Sequence, residues 1–281
     1  MSFCYTNKVL LFMKNKQTRK KIGLALGSGA WRGFAHIGVI KSFLKNGIEI
    51  DFLSGSSMGA LIAAYYAVFK DINKLEDEFV ANAKDNMPLF LNFSLTGGLI
   101  GGNKFLRYLN KRFQNFKFSD SLIPLQIIAT DLFSGKPYIF SDGDIARAIR
   151  ASVSVPLVFK PLKYKDKLLV DGGLSNPVPG VLVRKMGADI VIGVNIYHQN
   201  EFIAKKLTMP QVVLRSTRIV LYNLAQNDIK DIDIVIAPDL SPFVATSSLS
   251  KFFTKEVIIN IINAGEKAAD KKIDEIKRLI N

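Results

Sequence analysis

The chain has 281 residues, enough for one large domain with a buried core, and its 48% hydrophobic and 10% aromatic content excludes a disordered chain. One cysteine and two histidines are too few for a disulfide framework or for a zinc site with the usual ligands. The formal net charge of +14 suits a partner with an anionic surface, either a membrane or a nucleic acid, and the alternative interpretation is that it only serves solubility.

The positive charge is concentrated at the N-terminus. Residues 1–21 contain six lysines or arginines and no acid, so we predict a basic flexible tail over 1–20 and a single domain over 21–281. The apolar run Val9–Met13 is far shorter than the ~20 residues that cross a bilayer. We therefore expect a cytoplasmic protein with peripheral contact to an anionic inner membrane face. Nucleic acid is not an expected partner, because no stretch interleaves basic and aromatic residues.

The predicted domain begins with a strand–loop–helix–strand unit. An apolar strand at Lys21–Leu26 leads into a glycine loop, Gly27–Gly33, and the apolar spacing of Phe34–Asn46 predicts a helix. A second apolar run, starting at Ile50, ends in the pattern Gly-x-Ser-x-Gly over Gly55–Gly59. This order is typical of a βαβ unit, which places the two strands side by side in a parallel sheet.

The remaining predicted elements alternate between helices and strands. Helices are predicted at Met58–Phe69, Asn73–Lys84, 103–115, Asp144–Ser152, from Asn176–Pro179 onward, 210–226 and 254–280. Strands are predicted at Leu125–Thr130, Pro137–Phe140, Lys167–Val170, Asp189–Asn195 and Asp233–Ala237. The predicted fold is therefore α/β, with a parallel-rich central sheet flanked by helices.

The Gly-x-Ser-x-Gly pattern predicts a nucleophile elbow at the end of the second strand. In such an elbow a serine, here Ser57, lies on a sharp strand-to-helix turn, and Gly55 and Gly59 permit close backbone contacts. The alternative interpretation is a glycine-rich turn that only joins a strand to a helix. Catalysis by Ser57 therefore requires a base and a set of oxyanion donors elsewhere in the chain.

Two arrangements can supply the base. A triad in hydrolase order would combine Ser57 with Asp171 and then His198, which follows a predicted strand. The alternative is a dyad in which Asp171 contacts Ser57 directly, since Asp171 ends an apolar strand and two glycines after it give it room. The other histidine, His36, lies in the first predicted helix and is interpreted as structural.

The loop Gly27–Gly33 also has two interpretations. Its glycines allow N–H groups to converge on an anion and Arg32 adds a cation, which suits an oxyanion hole. The spacing Gly-x-Gly-x-x-x-Gly is one residue longer than the dinucleotide-binding pattern, and Glu49 and Asp51 lie near the position of a ribose-binding carboxylate. A second glycine-framed turn directly after Asp51 favours the covalent enzyme over the nucleotide site.

Taken in order, three motifs carry a family resemblance. Gly27-Ser28-Gly29-Ala30-Trp31-Arg32-Gly33, Gly55-Ser56-Ser57-Met58-Gly59 and Asp171-Gly172-Gly173 resemble the patatin-like phospholipase family, in particular its bacterial members related to neuropathy target esterase. The segments Ala151–Pro156 and Asn176–Pro179 also fit, so the resemblance covers about residues 21 to 195.

This resemblance implies a three-layer sandwich and a dyad of Ser57 as nucleophile and Asp171 as base, without a cofactor or a metal. It implies an oxyanion hole formed by the loop residues Gly27, Ser28, Gly29, Ala30, Arg32 and Gly33, chiefly through the N–H groups of Gly29 and Ala30. The loop departs from the commonest family sequence at Ser28 and Trp31, but neither change removes a backbone N–H.

The implied substrates are phospholipids, lysophospholipids or other acyl esters. The apolar, glycine-rich segment 86–103 is then interpreted either as a lid or acyl-chain wall, or as a loop packed on the core. A different class of function stays open, in which the fold serves as a binding or regulatory module.

Overall fold

The computed structural model describes residues 19–81, 83, 103–156, 158–198, 208–244 and 254–280. Nearly all of the predicted basic tail and of the segment 86–103 lies outside these residues. Of the helices in the described ranges, none combines the length and the apolar composition that crossing a bilayer requires.

The described strands form a single sheet of eight. They are β1 (Ile22–Leu26), β2 (Phe52–Ser56), β3 (Leu125–Asp131), β4 (Pro137–Phe140), β5 (Leu162–Tyr164), β6 (Lys167–Val170), β7 (Ile190–Val194) and β8 (Ile234–Ile236). Hydrogen-bonded neighbours follow the order β5-β6-β3-β2-β1-β7-β8, and β4 also pairs with β3. The neighbouring pairs β3-β2, β2-β1, β1-β7 and β7-β8 are parallel. The pairs β3-β4, β3-β6 and β5-β6 are antiparallel. The predicted parallel-rich sheet is confirmed.

Helices connect the strands. They are α1 (Ala35–Lys45), α2 (Met58–Phe69), α3 (Ile72–Ala81), α4 (Asn103–Phe113), α5 (Ile145–Ser152), α6 (Gly180–Lys185), α7 (Met209–Asp228), α8 (Ser241–Val244), α9 (Lys255–Asp270) and α10 (Ile273–Ile280). Short 3₁₀ turns occur at Ala30–Phe34, Phe118–Asp120, Gly172–Leu174 and Ile229–Asp231. The first and third of these turns flank the candidate site.

Alternate residues of the central strand β1 enter two different cores. Ile22, Leu24 and Leu26 belong to the larger core, which also contains side chains of α1, α2 and α9. Ala25 belongs to a smaller core with Val183 of α6 and with residues of α7. Both faces of the sheet are thus covered by helices, and the three-layer architecture is confirmed.

Glycines allow α1 and α9 to pack backbone against backbone. A side-chain carbon at Gly38 of α1 would collide with the Ile262 carbonyl of α9, and one at Gly265 would collide with the Ala35 carbonyl. The closing helix therefore holds α1, which follows the glycine loop, firmly in place.

Three details differ from the predicted elements. The closing segment is not one helix: the Lys272 N–H bonds to the Ala269 carbonyl in a tighter turn, after which α10 buries Ile276. Residues 176–179 lie outside a helix, because the Val178 N–H donates to the Asp228 carboxylate, and α6 begins at Gly180. The three-residue strand β5 was not predicted.

Candidate active site

The candidate site lies where β2 and β6 meet end to end beside β3. Backbone groups of alternate residues in a strand point to the same edge. The Pro124 carbonyl accepts a hydrogen bond from the Leu53 N–H of β2, and the Leu132 N–H donates to the Leu168 carbonyl of β6. Pro124 and Leu132 are an even number of positions apart, so both bonds lie on the same edge of β3. Strands β2 and β6 therefore run towards each other along one edge of β3.

The strand register brings Ser57 and Asp171 to the meeting point. Ser56 lies opposite Ile128 in the parallel pair, and Val170 lies opposite Thr130 in the antiparallel pair. One step further along each strand brings both chains to the level of residue 129. The antiparallel direction of β6 is thus what places Asp171 beside Ser57.

The backbone at Ser57 forms the predicted elbow. Ser57 has a φ of 54° and a ψ of −121°, in the left-handed range that a residue with a side chain rarely adopts. A side-chain carbon at Gly55 would collide with the start of α2, and one at Gly59 would collide with the carbonyls of Leu26 and Gly27. Both glycines are needed because the turn packs backbone directly on backbone.

Ser57 and Asp171 form a direct hydrogen bond. The Ser57 Oγ donates to Asp171 Oδ2 over 2.6 Å, and the Gly173 N–H donates to Asp171 Oδ1 over 2.8 Å. Ser57 is 4% exposed and Asp171 is 6% exposed. Burial raises the pKa of Asp171 to about 6, although the two hydrogen bonds act in the opposite direction. The carboxylate is still mostly ionised at pH 7, yet it is a stronger base than an exposed aspartate.

Neighbouring polar groups fix the backbone of both residues. The Thr130 hydroxyl donates to the Asp171 carbonyl over 2.8 Å, and the Asp171 N–H donates to the Ser154 carbonyl over 3.0 Å. The Ser57 N–H donates to the hydroxyl of Ser152, at the end of α5, over 2.8 Å. The Ser57 N–H is therefore occupied and does not belong to the oxyanion donors.

Sequence reasoning did not identify these supporting residues. The buried Arg150 donates to the Ser154 hydroxyl over 2.6 Å and to the Lys160 carbonyl over 2.9 Å, which fixes the loop after α5. The signal was present in Ala151–Pro156, which matched the family pattern, but its serines read as an ordinary helix end. A serine's partner across the fold is not visible in its sequence neighbourhood.

The first four N–H groups of the glycine loop differ in whether they are already bonded. The Gly27 N–H donates to β7 over 3.1 Å, and the Ser28 N–H donates to the Pro177 carbonyl over 2.8 Å. Neither the Gly29 nor the Ala30 N–H bonds to any residue that the structure describes. Of the first four N–H groups of the loop, those of Gly29 and Ala30 therefore stay the predicted oxyanion donors.

Arg32 and Gly33 act on the shape of the loop. The buried Arg32 donates through Nε to the Gly29 carbonyl over 3.1 Å, which fixes the peptide that bears the Ala30 N–H. Its guanidinium lies 5.1 Å from the centre of the Tyr197 ring, and burial lowers its pKa to about 9, so it stays cationic at pH 7. A side-chain carbon at Gly33 would collide with Met58, so Gly33 allows the loop to pack on the elbow.

The two histidines lie outside the dyad. His36 Nε2 donates to the Gly27 carbonyl over 2.8 Å, which confirms its structural interpretation, and burial lowers its pKa to about 4. His198 Nε2 lies 2.6 Å from the Pro238 carbonyl, beyond the end of β8. The hydrogen bond between Ser57 and Asp171 has no histidine in it, so the geometry favours the dyad over the triad.

Both carboxylates of the nucleotide interpretation are bound to other groups, and Glu49 forms an ion pair with Arg19 over 2.7 Å. Asp51 accepts the Ile22 N–H over 2.7 Å and forms two hydrogen bonds with Arg19, of 2.7 and 2.8 Å. Its carboxylate thus holds the start of β1. No group of three or more histidine, cysteine, aspartate or glutamate side chains within the described ranges is placed to hold a metal ion.

Sequence comparison identifies the class of protein to which this fold and site belong. Residues 24–181, more than half of the chain, match the family model of patatin-like phospholipases. The chain therefore belongs to the patatin-like phospholipase family, a family of lipid hydrolases.

Particular relatives share this region. An uncharacterized NTE family protein of Mycobacterium tuberculosis is 34% identical over 181 residues, which cover 63% of this chain and 49% of that protein. Patatin-like phospholipase domain-containing protein 6 of Homo sapiens is 31% identical over 191 residues, covering 66% of this chain and 14% of that protein. The crystal structure of VipD from Legionella pneumophila aligns with a TM-score of 0.53 at 14% identity, covering 92% of this chain and 67% of that chain. The matched region spans half or less of these curated relatives, and VipD supports the fold alone.

Proposed function

We propose that the protein is a serine hydrolase of acyl lipids that works through a Ser57–Asp171 dyad and an acyl-enzyme. The observation that carries the proposal is the 2.6 Å hydrogen bond from Ser57 Oγ to Asp171 Oδ2 in a buried site. Family membership supports a lipid substrate.

In the first step the ester acylates the enzyme. Ser57 Oγ attacks the carbonyl carbon while Asp171 takes the hydroxyl proton, and the oxyanion forms towards the N–H groups of Gly29 and Ala30. Each such donor contributes about 2.7–4 kcal/mol of transition-state stabilisation. The bond from the carbonyl carbon to the alcohol oxygen then breaks, and the leaving alcohol takes the proton from Asp171.

In the second step water releases the acid. Asp171 takes a proton from a water molecule, whose oxygen attacks the acyl carbonyl and again produces an oxyanion beside Gly29 and Ala30. The bond to Ser57 Oγ breaks, Ser57 recovers the proton from Asp171, and a fatty acid leaves. Every proton that moves passes through one carboxylate, so the sequence of steps calls for neither a cofactor nor a metal.

A carboxylate is a weak base, so its environment decides whether this mechanism works. The pKa of about 6 brings Asp171 closer to the working pH than the usual value near 4. A base with a pKa near the working pH gives the best combination of ionised fraction and basicity. The substrate class that we propose is a phospholipid, a lysophospholipid or another acyl ester.

The test uses two substitutions and one control on a soluble short-chain ester. Ser57→Ala and Asp171→Asn should each lower kcat by roughly 10⁴-fold or more, because they remove the nucleophile and the base. His198→Gln is the matched control, since His198 bonds to a backbone carbonyl outside the dyad, and it should keep its activity. An inactive but folded His198→Gln variant would contradict the dyad and support the triad of Ser57, Asp171 and His198.

Covalent labelling separates an enzyme from a binding module. A fluorophosphonate should phosphonylate Ser57, forming the Oγ–P bond with loss of fluoride, and the Ser57→Ala variant should stay unlabelled. A native protein that does not react, although it is fully folded, would favour the regulatory or binding module instead.

A further inference from the structure

Two hairpin turns project beyond the C-terminal ends of the parallel strands, which is the end of the sheet at which the candidate site lies. The turn between β3 and β4, residues 132–136, continues β3 past the ends of the parallel strands. Since β6 runs antiparallel to this end of β3, the turn between β5 and β6, residues 165–166, extends in the same direction. The Leu132 N–H donates to the Leu168 carbonyl over 2.8 Å and joins the two hairpins.

The first turn exposes large apolar side chains in a well-held backbone. Phe133 is 81% exposed and Leu132 is 48% exposed. The Asp131 carboxylate accepts the Phe133 N–H over 3.3 Å and the Ser134 hydroxyl over 2.8 Å, and Gly135 closes the turn onto the Asp131 carbonyl. Phe133 is thus presented to solvent by a fixed turn, and an apolar partner that covers it would gain the free energy of burying its ring.

The two hairpins also carry exposed lysines. Lys136, Lys163 and Lys165 are exposed, and they lie on the same two hairpins as Phe133. Of the acids there, Asp131 pairs with Lys167 over 3.2 Å, which leaves Asp166 as the opposing charge within the two turns. An exposed aromatic side chain on the same two hairpins as three exposed lysines complements an anionic lipid surface, whose headgroups attract the charge while its acyl boundary accepts the aromatic ring.

We propose that an anionic lipid bilayer docks on these two hairpin turns, with Phe133 and Leu132 entering the interface and Lys136, Lys163 and Lys165 contacting the headgroups. We name these five side chains the hairpin tip. This proposal rests on the proposed lipid substrate, because docking on a bilayer would give a lipid substrate a route to the site.

The distance from the hairpin tip to the dyad supports this role. The strand β6 separates Lys167 from Asp171 by four positions of extended chain, which corresponds to about 13 Å. Thr130, two positions before Leu132, bonds directly to the Asp171 carbonyl. A bilayer on the hairpin tip would therefore lie within one lipid's reach of the nucleophile.

A second apolar surface competes for the same role. Helix α7 exposes Val212, Val213, Ile219 and Val220, between 39 and 55% each, at helical spacing along its outer side. The two arginines on this helix that are described, Arg215 and Arg218, are half-buried and engaged in other contacts. The α7 stripe thus lacks the exposed cations that the hairpin tip has on its own elements, and charge complementarity favours the hairpin tip.

The experiment measures vesicle binding in the full chain with Ser57→Ala, so that hydrolysis neither alters the vesicles nor enters the result. Pelleting is compared on phosphatidylcholine vesicles with and without phosphatidylglycerol, at low and high salt. Adding Phe133→Ser should weaken partitioning into the anionic vesicles roughly tenfold. Lys163→Gln with Lys165→Gln should weaken it by roughly fivefold for each lysine at low salt, with little effect at high salt.

Two control variants sharpen the result. Leu122 is 64% exposed but precedes β3 at the opposite end of the sheet, so Leu122→Ser should leave binding unchanged. Val220→Ser tests the α7 stripe and should also leave binding unchanged. Normal thermal unfolding of each variant shows that it is folded.

The proposal is overturned if Phe133→Ser binds like the parent, or if the parent binds neutral and anionic vesicles equally. It is also overturned if Val220→Ser, rather than Phe133→Ser, releases the vesicles. Since the assay contains no turnover, a failure here leaves the Ser57–Asp171 dyad untouched, whereas an unreactive Ser57 leaves the docking result standing.

Discussion

The two sides of the candidate site are held in different ways. On one side Ser57 and Asp171 contact each other through their side chains, and the groups that fix them are serine and threonine hydroxyls and backbone. On the other side two charged or polar side chains bind carbonyls of the glycine loop, His36 at Gly27 and Arg32 at Gly29, and the Gly27 and Ser28 N–H groups bond to distant carbonyls. The first side would carry the chemistry, and the second would aim two N–H groups at it.

Because the two sides are held differently, we expect substitutions on the dyad side and on the loop side to affect the reaction differently. A change in the dyad removes a group that exchanges protons, whereas a change around the loop only alters how well a donor points. The two sides also differ in charge: burial raises the pKa of Asp171 to about 6 and lowers that of His36 to about 4. Asp171 therefore loses its charge as the pH falls through about 6, whereas His36 stays neutral until about pH 4, and this gap gives the comparison its strongest test.

Acidification should stop the reaction on the dyad side. Protonation of Asp171 removes the base, so kcat/KM should fall about tenfold for each pH unit below about 6, or roughly 100-fold by pH 4. The measurement is a pH profile of kcat/KM on a soluble ester. A profile that stays flat down to pH 5 would contradict Asp171 as the base.

Unfolding should not explain that loss, because the two buried groups act on stability in opposite directions. The pKa of Asp171 is raised on folding from 3.8, so its contribution to the free energy of unfolding is lost as the pH rises from about 4 to 6. The pKa of His36 is lowered from 6.5, so its contribution is lost as the pH falls from about 6.5 to 4. Circular dichroism at pH 5 should therefore show a folded protein.

On the loop side His36 offers the next largest effect. His36→Leu removes the donor to the Gly27 carbonyl and should lower kcat roughly tenfold with KM nearly unchanged, because the loop N–H groups lose their alignment with the oxyanion. The unsatisfied buried carbonyl should also cost about 1–3 kcal/mol of stability. Steady-state kinetics on the soluble ester measure both constants.

His36→Gln is the matched variant, because its amide can donate to the same carbonyl, and it should recover most of the kcat. If both variants lose the same stability in thermal unfolding but keep kcat, His36 only supports the fold and does not position the loop.

The sequence predicted the elements of the site better than their contacts. Ser57 and the loop were visible because their glycines occupy places where backbone packs on backbone, as Gly59 does on the carbonyl of Gly27. The position of Asp171 was predicted, but the reason for it was not. That reason is the antiparallel direction of β6, which depends on pairing between distant segments.

The oxyanion donors show the same limit. Nothing in the loop sequence distinguishes one backbone N–H group from another, whereas in the fold the N–H groups of Gly27 and Ser28 are already bonded to distant carbonyls. The Pro177 carbonyl that occupies the Ser28 N–H lies about 150 positions along the chain from it. Contacts of this kind follow from the complete fold and leave no local pattern.

The smallest effect is expected at the outer support of the loop. The Ser28 hydroxyl and the Tyr197 hydroxyl, both buried, are 2.7 Å apart, and the Tyr197 ring lies against the Arg32 guanidinium. Tyr197→Phe removes one hydrogen bond and keeps the ring, so it should cost about 1 kcal/mol of stability and lower kcat only two- to threefold. Thermal unfolding and steady-state kinetics measure both. A loss as large as that of Asp171→Asn would mean that Tyr197 takes part in proton transfer, and the division between a chemical side and an aiming side would fail.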